Sequence, residues 1–232
     1  MDMRRFNLPR YLDLLPLFQG SPPERLLRLC AAARLRRLAR GDIVFRAGDE
    51  CGSYHLVVTG QVKLFVLSPS GQEKVVELAG PACSLGEEAL FAERPYTLNA
   101  QALGDGLVLA LEAGALLSEV DRDPRLARRM LAGAGRRVQG LVEDIEAQAL
   151  KSGVARIVAY LVRDASNDAD GGSTATLALP ASKATIASRL SLTPEYFSRV
   201  LHDLQAAGLI EVERQAIRIR DRQRLADYTV AA

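Results

Sequence analysis

The hydrophobic period of this chain is strand-like from 41 to 111 and helical from 124 to 150, and that switch restricts it to a β-rich part followed by a mainly helical one. From 41 to 111 come short apolar runs, IVF, YHLVV, VKLFVL, KVVELA and LVLAL, broken by Gly41, Gly48, Gly60, Gly71, Gly80 and Gly104. Short strands with a glycine turn about every 10 to 12 residues predict a small antiparallel roll or barrel. From 124 to 150 the repeat is seven: Leu131, Val138 and Ile145 recur, and Ala134 and Leu141 fill the alternate slots. This is a heptad seam. Gly133, Gly135 and Gly140 each weaken a helix by up to about 1 kcal/mol relative to alanine, so the seam needs a partner surface. A parallel second copy of the chain is the expected partner; packing on its own domain is the alternative.

Flanking segments fill in the order of elements. "SPPERLLRLCAA" (21–32) predicts a short helix with Ser21 as N-cap, Pro22 at the first helical position and Glu24 closing a capping box. The four arginines of "RLRRLAR", Arg34, Arg36, Arg37 and Arg40, alternate with Leu35 and Leu38 and read as solvated residues at the entrance to the roll. After "KSG" (151–153) a helix places Val154, Ile157, Val158, Leu161 and Val162 on one stripe, and "DASNDADGGSTA" (164–175) is a polar surface loop. "SKATIASRL", the turn "SLT" and "PEYFSRVLHDLQAAG" form a helix-turn-helix pattern. In "LIEVERQAIRIR", Ile210 and Val212 oppose Ile217 and Ile219 around a polar tip, so a small hairpin wing closes the unit.

The second of these helices carries the chemistry. Thr193 caps it and Pro194 suits its first turn, leaving Glu195, Ser198 and Arg199 at i, i+3 and i+4 on one face, with Phe197, Val200, Leu201 and Leu204 opposite. Arginine can grip guanine O6 and N7, glutamate can accept from cytosine N4, and serine serves base or phosphate. The plain alternative is a solvated helix start, with Glu195 favoured by the macrodipole and Arg199 paired to it. Ser182, Lys183, Arg189 and Thr193 are placed to contact phosphates, which fixes register without specifying sequence.

Bulk properties constrain the rest. A formal charge of +2 over 232 residues neither demands nor excludes a polyanionic partner, so local patches decide. Cys30, Cys51 and Cys83 are odd in number and have no C-x-x-C pair, which argues against disulfides or a zinc cluster and for a reducing cytoplasm. No apolar run reaches membrane-span length, and Pro9, Arg10 and Asp13 interrupt the N-terminal segment, so neither export nor a membrane is expected. There is no G-x-S-x-G, H-E-x-x-H or Walker loop, so no enzyme is expected. The expected domains are 1–120, a β-roll sensor; 121–150, a dimerisation helix; and 151–232, a winged helix-turn-helix.

"GQEKVVEL" and "LGEEALF" in the roll, with "LTPEYFSRVL" in the reader, make the chain resemble the Crp/Fnr family of bacterial transcription regulators over nearly its whole length. That resemblance implies an α+β fold: an N-terminal double-stranded β-roll of the cyclic-nucleotide-binding jelly-roll kind, a long dimer helix, and a winged reader of double-stranded DNA that meets RNA polymerase. Glu195, Ser198 and Arg199 match the E-x-x-S-R signature of the Fnr branch. This implies a homodimer on an inverted repeat of TTGAT-type half-sites, in preference to the TGTGA type.

For the effector pocket the resemblance points to Gly86, Glu87, Glu88, Leu90, Tyr96 and Thr97. Gly86, Glu87 and Thr97 match cyclic-nucleotide binders, but Tyr96 stands where they carry the phosphate-binding arginine, and Arg94 is out of register. Without that bidentate partner, cyclic AMP is not expected to bind. Glu87 and Glu88 can equally serve only to stabilise a helix start. An iron–sulfur cluster as in Fnr needs four thiolates, and the chain has three scattered cysteines. The motifs look most like the Dnr-type, nitric oxide-responsive branch of denitrification regulators, which implies haem. His55 and His202 are the histidine ligands on offer; a packing role for His55 and a surface role for His202 stay open beside that. Two other readings remain: a Crp-type cyclic-nucleotide regulator, and a ligand-binding or redox protein with a vestigial reader.

Overall fold

The computed structural model describes residues 6–167, 174–214 and 216–228. Two compact units emerge, one formed by the chain up to Val66 together with Val76–Gln139, the other by Leu67–Val75 together with Gly140 onward.

The first unit opens with helices α1 (Leu8–Leu14) and α2 (Pro23–Ala31), followed by strands β1 (Ala33–Leu38), β2 (Ile43–Phe45), β3 (Ser53–Thr59), β4 (Val62–Leu67), β5 (Glu73–Ala79) and β6 (Ser84–Leu85). Helix α3 (Glu87–Ala92), strands β7 (Asn99–Ala102) and β8 (Gly106–Glu112), helix α4 (Ala113–Arg122) and the long helix α5 (Pro124–Leu150) complete it, with α5 continuing into the second unit. The strands form two four-stranded antiparallel sheets, ordered β1-β8-β3-β6 and β2-β7-β4-β5, which is the double-stranded roll expected. Between them lies a core of Leu38, Phe45, Val57, Leu64, Leu85, Tyr96 and Val108. A second cluster packs the outer face of the first sheet against the helices, through Leu12, Phe18, Leu29, Leu109, Leu116, Leu126 and Met130.

One local expectation needs correction. Helix α2 begins at Pro23, with no side-chain cap at its start, so the capping box at Ser21 does not form. Pro22 is held at φ −56, ψ 142 because it precedes another proline, and the residue before a proline is pushed out of the α region. The arginine-rich segment is a paired strand, Leu35 lying opposite Leu109 of β8, and Arg34, Arg36 and Arg37 are exposed as expected.

The helices of this unit are tied to one another by a buried carboxylate. Glu119 of α4 is 2% exposed and accepts hydrogen bonds from Arg28 Nε (2.7 Å), Arg122 Nη1 (2.8 Å) and Arg25 Nε (3.3 Å). Arg25 also pairs with Asp123 at 2.8 Å. A buried charge is tolerated because three arginines satisfy it.

The second unit contains α6 (Gly153–Asp164), β9 (Ser166–Asn167), β10 (Ala175–Ala178), α7 (Lys183–Arg189), α8 (Pro194–Ala206), β11 (Ile210–Val212), β12 (Ala216–Ile219) and α9 (Arg222–Asp227). Helices α7 and α8 are the helix-turn-helix, and the sheet β11-β12-β10-β9 flanks them. The wing has the expected register, Ile210 facing Ile219 and Val212 facing Ile217; Gln215 of its tip lies outside the described residues. In the segment expected to be a polar loop, 168–173 also lie outside them, and the two ends pair as strands, Ala175 opposite Asn167. Within the same unit, Lys74 Nζ donates to the carbonyls of Ser188 (2.7 Å) and Arg189 (2.9 Å), satisfying acceptors left free at the C-terminus of α7.

Hydrogen bonds from Arg28, with Arg28's and Arg122's charges, pull Glu119 from the ordinary 4.5 to about 2. Its folded pKa is depressed, so its contribution is complete above about pH 4.5 and is lost as pH falls toward 2. Glu119→Gln is expected to cost about 3 kcal/mol at pH 7, the range for breaking a buried pair. Urea unfolding at several pH values should show the cost shrinking between pH 5 and 2; a pH-independent difference would contradict it.

Candidate nucleic-acid interface and effector pocket

The reader face forms because two polar residues cap two short helices. Ser182 Oγ accepts from Thr185 N at 3.2 Å and starts α7; Thr193 Oγ1 accepts from Tyr196 N at 3.2 Å and starts α8. Phe197, Val200, Leu201 and Leu204 are buried along the opposite stripe, as their spacing predicts. This burial turns Glu195, Ser198 and Arg199 outward, and all three are exposed. Ser182, Lys183 and Thr193 are exposed at the two helix starts, where free backbone N–H groups favour anions.

Arg189 departs from this pattern. Its side chain is only 16% exposed and its Nη2 donates to Asp144 Oδ2 at 3.2 Å, so it ties α7 to the end of α5 and is not a surface phosphate contact. It stands in the last turn of α7, past the face that the capped starts present. Two features escaped the sequence reading. Arg218 of the wing is exposed, a position the I-R-I-R alternation could have flagged. Tyr196 is half-buried, and the Arg199 guanidinium carbon sits over its ring at 5.0 Å.

In the roll, Gly86 takes φ +87 as N-cap of α3, and a Cβ there would lie 2.6 Å from the Tyr96 ring. Tyr96 is 4% exposed, stacks on Phe45 with centroids 3.9 Å apart, and donates from its hydroxyl to Ser53 O at 2.7 Å. It therefore fills the space beside the Gly86–Glu87 turn. Three other expected pocket residues are not brought there: Thr97 and Glu88 are exposed, and Leu90 is buried in the helix-facing core. Only Glu87 lines a cavity of about 320 Å³, together with Tyr54, Ser84, Leu15, Leu56 and, from α5, Arg129, Met130 and Arg136.

Glu87 is already engaged. Arg137 of α5, its side chain 20% exposed, pairs with Glu87 and, at 2.8 Å, with Glu77. Ser84 Oγ donates to Glu87 Oε1 at 3.0 Å, while Oε2 is buried without a partner among the described residues. Arg137 was missed because an arginine pair, Arg136 and Arg137, flanking a heptad seam reads as solvated charge. The seam itself is bare: Leu131, Val138 and Ile145 are 70%, 60% and 66% exposed, and Leu141 and Ala134 are partly open.

The residues do not fit a haem. His202 is exposed on α8. His55 packs inside the roll against Phe45 (5.5 Å) and Tyr96 (6.3 Å), away from the cavity, whose lining holds one soft donor, Met130, and no histidine or cysteine among the described residues. The cysteines are free and half-buried, and no described group of His, Cys, Asp and Glu could hold a metal. No described helix is long and apolar enough to cross a membrane.

Comparison with known proteins agrees with this architecture. Residues 35–123 match the family described as cyclic nucleotide-binding domain, and 155–228 match the Crp-like helix-turn-helix domain. A cAMP-activated global transcriptional regulator of Mycobacterium tuberculosis, described as CRP-like, is 25% identical over 90% of this chain and 94% of its own. The structure of FixK2 from Bradyrhizobium japonicum superimposes with a TM-score of 0.76 at 23% identity, covering 86% of this chain and 98% of that one. The structure of DNR from Pseudomonas aeruginosa is 31% identical, with 93% of this chain and 95% of that one covered and a TM-score of 0.50. A nucleotide-binding-type roll joined through a long helix to a Crp-like reader defines the class as a regulator rather than an enzyme. The chain belongs to the Crp/Fnr family of transcription regulators.

Burial, with the Arg36 charge adding, lowers His55 from 6.5 to about 4. The folded imidazole is neutral, so stability is lost as pH falls from 6.5 toward 4. Its NMR ring protons should titrate near 4; a midpoint near 6.5 would place His55 in solvent.

Proposed function

We propose that this chain is a homodimeric, effector-responsive transcription regulator that reads an inverted repeat of TTGAT-type half-sites. The observation that carries the reading is the exposed trio Glu195, Ser198 and Arg199 on the first turns of α8, with the capped helix starts at Ser182 and Thr193 beside it. Arg199 reads a guanine, Glu195 a cytosine N4, and Ser198 a base or phosphate. Lys183 and the capped helix starts hold the backbone and set the register. A second copy covers the Leu131, Ala134, Val138, Leu141 and Ile145 seam, since so large an exposed apolar stripe is unfavourable in water. Pairing the two long helices sets two readers on the two half-sites, and contact with RNA polymerase follows from family membership. A reducing cytoplasm is the compartment that three free thiols suit.

The effector is a small molecule or signal other than cyclic AMP. Cyclic AMP would need Glu87 free for a ribose hydroxyl and an arginine for its phosphate; here Glu87 is held by Arg137, and Tyr96 fills the arginine's position. The cAMP-activated mycobacterial relative is the observation favouring the other reading. The Dnr-type motifs of the sequence, with 31% identity to DNR, support nitric oxide or redox state as the signal class.

Two measurements test this. In fluorescence anisotropy, Arg199→Ala should cost about 1–3 kcal/mol on the specific site and relax discrimination at one base pair, while Lys183→Ala weakens specific and random duplexes alike. Equal losses on both duplexes for Arg199→Ala would end the base-reading assignment. Calorimetric titration with cyclic AMP should show no binding heat; tight stoichiometric binding would restore the Crp-type reading.

A further inference from the structure

We propose that Tyr196 is a positioning residue for Arg199, and that Gly153 exists to seat it. The inference rests on α8 being the base-reading helix and adds what sets the rotamer of its arginine.

Tyr196 and Arg199 stand three residues apart, so their side chains share one face of α8. The guanidinium carbon lies over the phenol ring at 5.0 Å, inside cation–π range. Arg199 is otherwise exposed, and no carboxylate among the described residues pairs with it, Glu195 four residues before it included. A ring contact attracts the charge without consuming any of the five N–H donors, which stay available to a guanine edge.

The ring is itself immobilised. Its far end fills the space beside Gly153 in the first turn of α6: a Cβ on Gly153 would meet Tyr196 Cε1 at 2.5 Å, its hydroxyl oxygen at 2.8 Å and Cζ at 2.9 Å. Any side chain at 153 must displace the phenol. Gly153 does not lie in the left-handed region, so its backbone does not require glycine, and helix propensity alone would favour alanine. The requirement for glycine comes from Tyr196. A fixed ring thus offers Arg199 one preferred pose before DNA arrives, which reduces the ordering cost at the moment of reading.

The test has a readout that needs no DNA. In the free protein, ring current should shift the Arg199 side-chain protons upfield; Tyr196→Phe should keep that shift and Tyr196→Leu abolish it. On duplexes, Tyr196→Leu should lower the ratio of specific to base-substituted binding by about two- to five-fold, with Tyr196→Phe close to wild type. Gly153→Ala should move the ratio the same way and add nothing in the Tyr196→Leu background, since both act on one contact. Thermal melting of each variant separates these effects from unfolding. Arg199 protons that ignore Tyr196→Leu, or a wild-type ratio in that variant, overturn the proposal while leaving base reading intact. A wild-type protein with no site preference at all overturns base reading and this proposal together.

Discussion

A single guanidinium fastens the long helix to the roll. Arg137 reaches from α5 to Glu77 of β5 and to Glu87 at the start of α3, so one half-buried cation is shared between two carboxylates. Without it Glu87 would face α5 as an uncompensated charge. With it, the helix is held in register against the sheet that carries Ser84, and the apolar seam of α5 is turned outward. The cavity and the exposed apolar seam both draw on α5, and Ala134 belongs to each.

This arrangement gives Glu87 a different part from the one the motif suggests. In a nucleotide-binding roll the G-E motif glutamate accepts from a ligand; here its first oxygen is taken by a serine and an arginine of the same chain. Tyr96 acts in the same direction, stacking on Phe45 in the space where an arginine would meet a phosphate. Both substitutions replace a ligand's polar contacts with protein ones. A ligand reaching for Glu87 would compete with Arg137, although Glu87 Oε2 stays without a partner among the described residues. The advantage of such a ligand is the difference between its own contacts and those it displaces.

Much of the architecture was legible in residue order. The glycine-punctuated strands, the period of seven from Leu131 to Ile145, the two capped helices and the Ile–Val wing register all follow from local rules, and the structure contains each of them. The strand through Arg34–Arg37 was not legible as one, because three exposed arginines mask the pairing of Leu35 with Leu109. The missing capping box at Ser21 shows two local rules in conflict, with the Pro22–Pro23 steric constraint prevailing over the cap preference.

The pattern along α8 was enough to say which residues face out, since four buried apolar side chains at helical spacing leave Glu195, Ser198 and Arg199 no other side. The order of roll, long helix, helix-turn-helix and wing was likewise readable from the residues. It could not say that Arg189 turns inward to Asp144, that Arg137 closes on Glu87, or that Tyr196 wedges between Gly153 and Arg199. Arg189 and Asp144 are 45 positions apart and Arg137 and Glu87 are 50, and a charge carries no mark of its partner until the fold brings the two together out of bulk water.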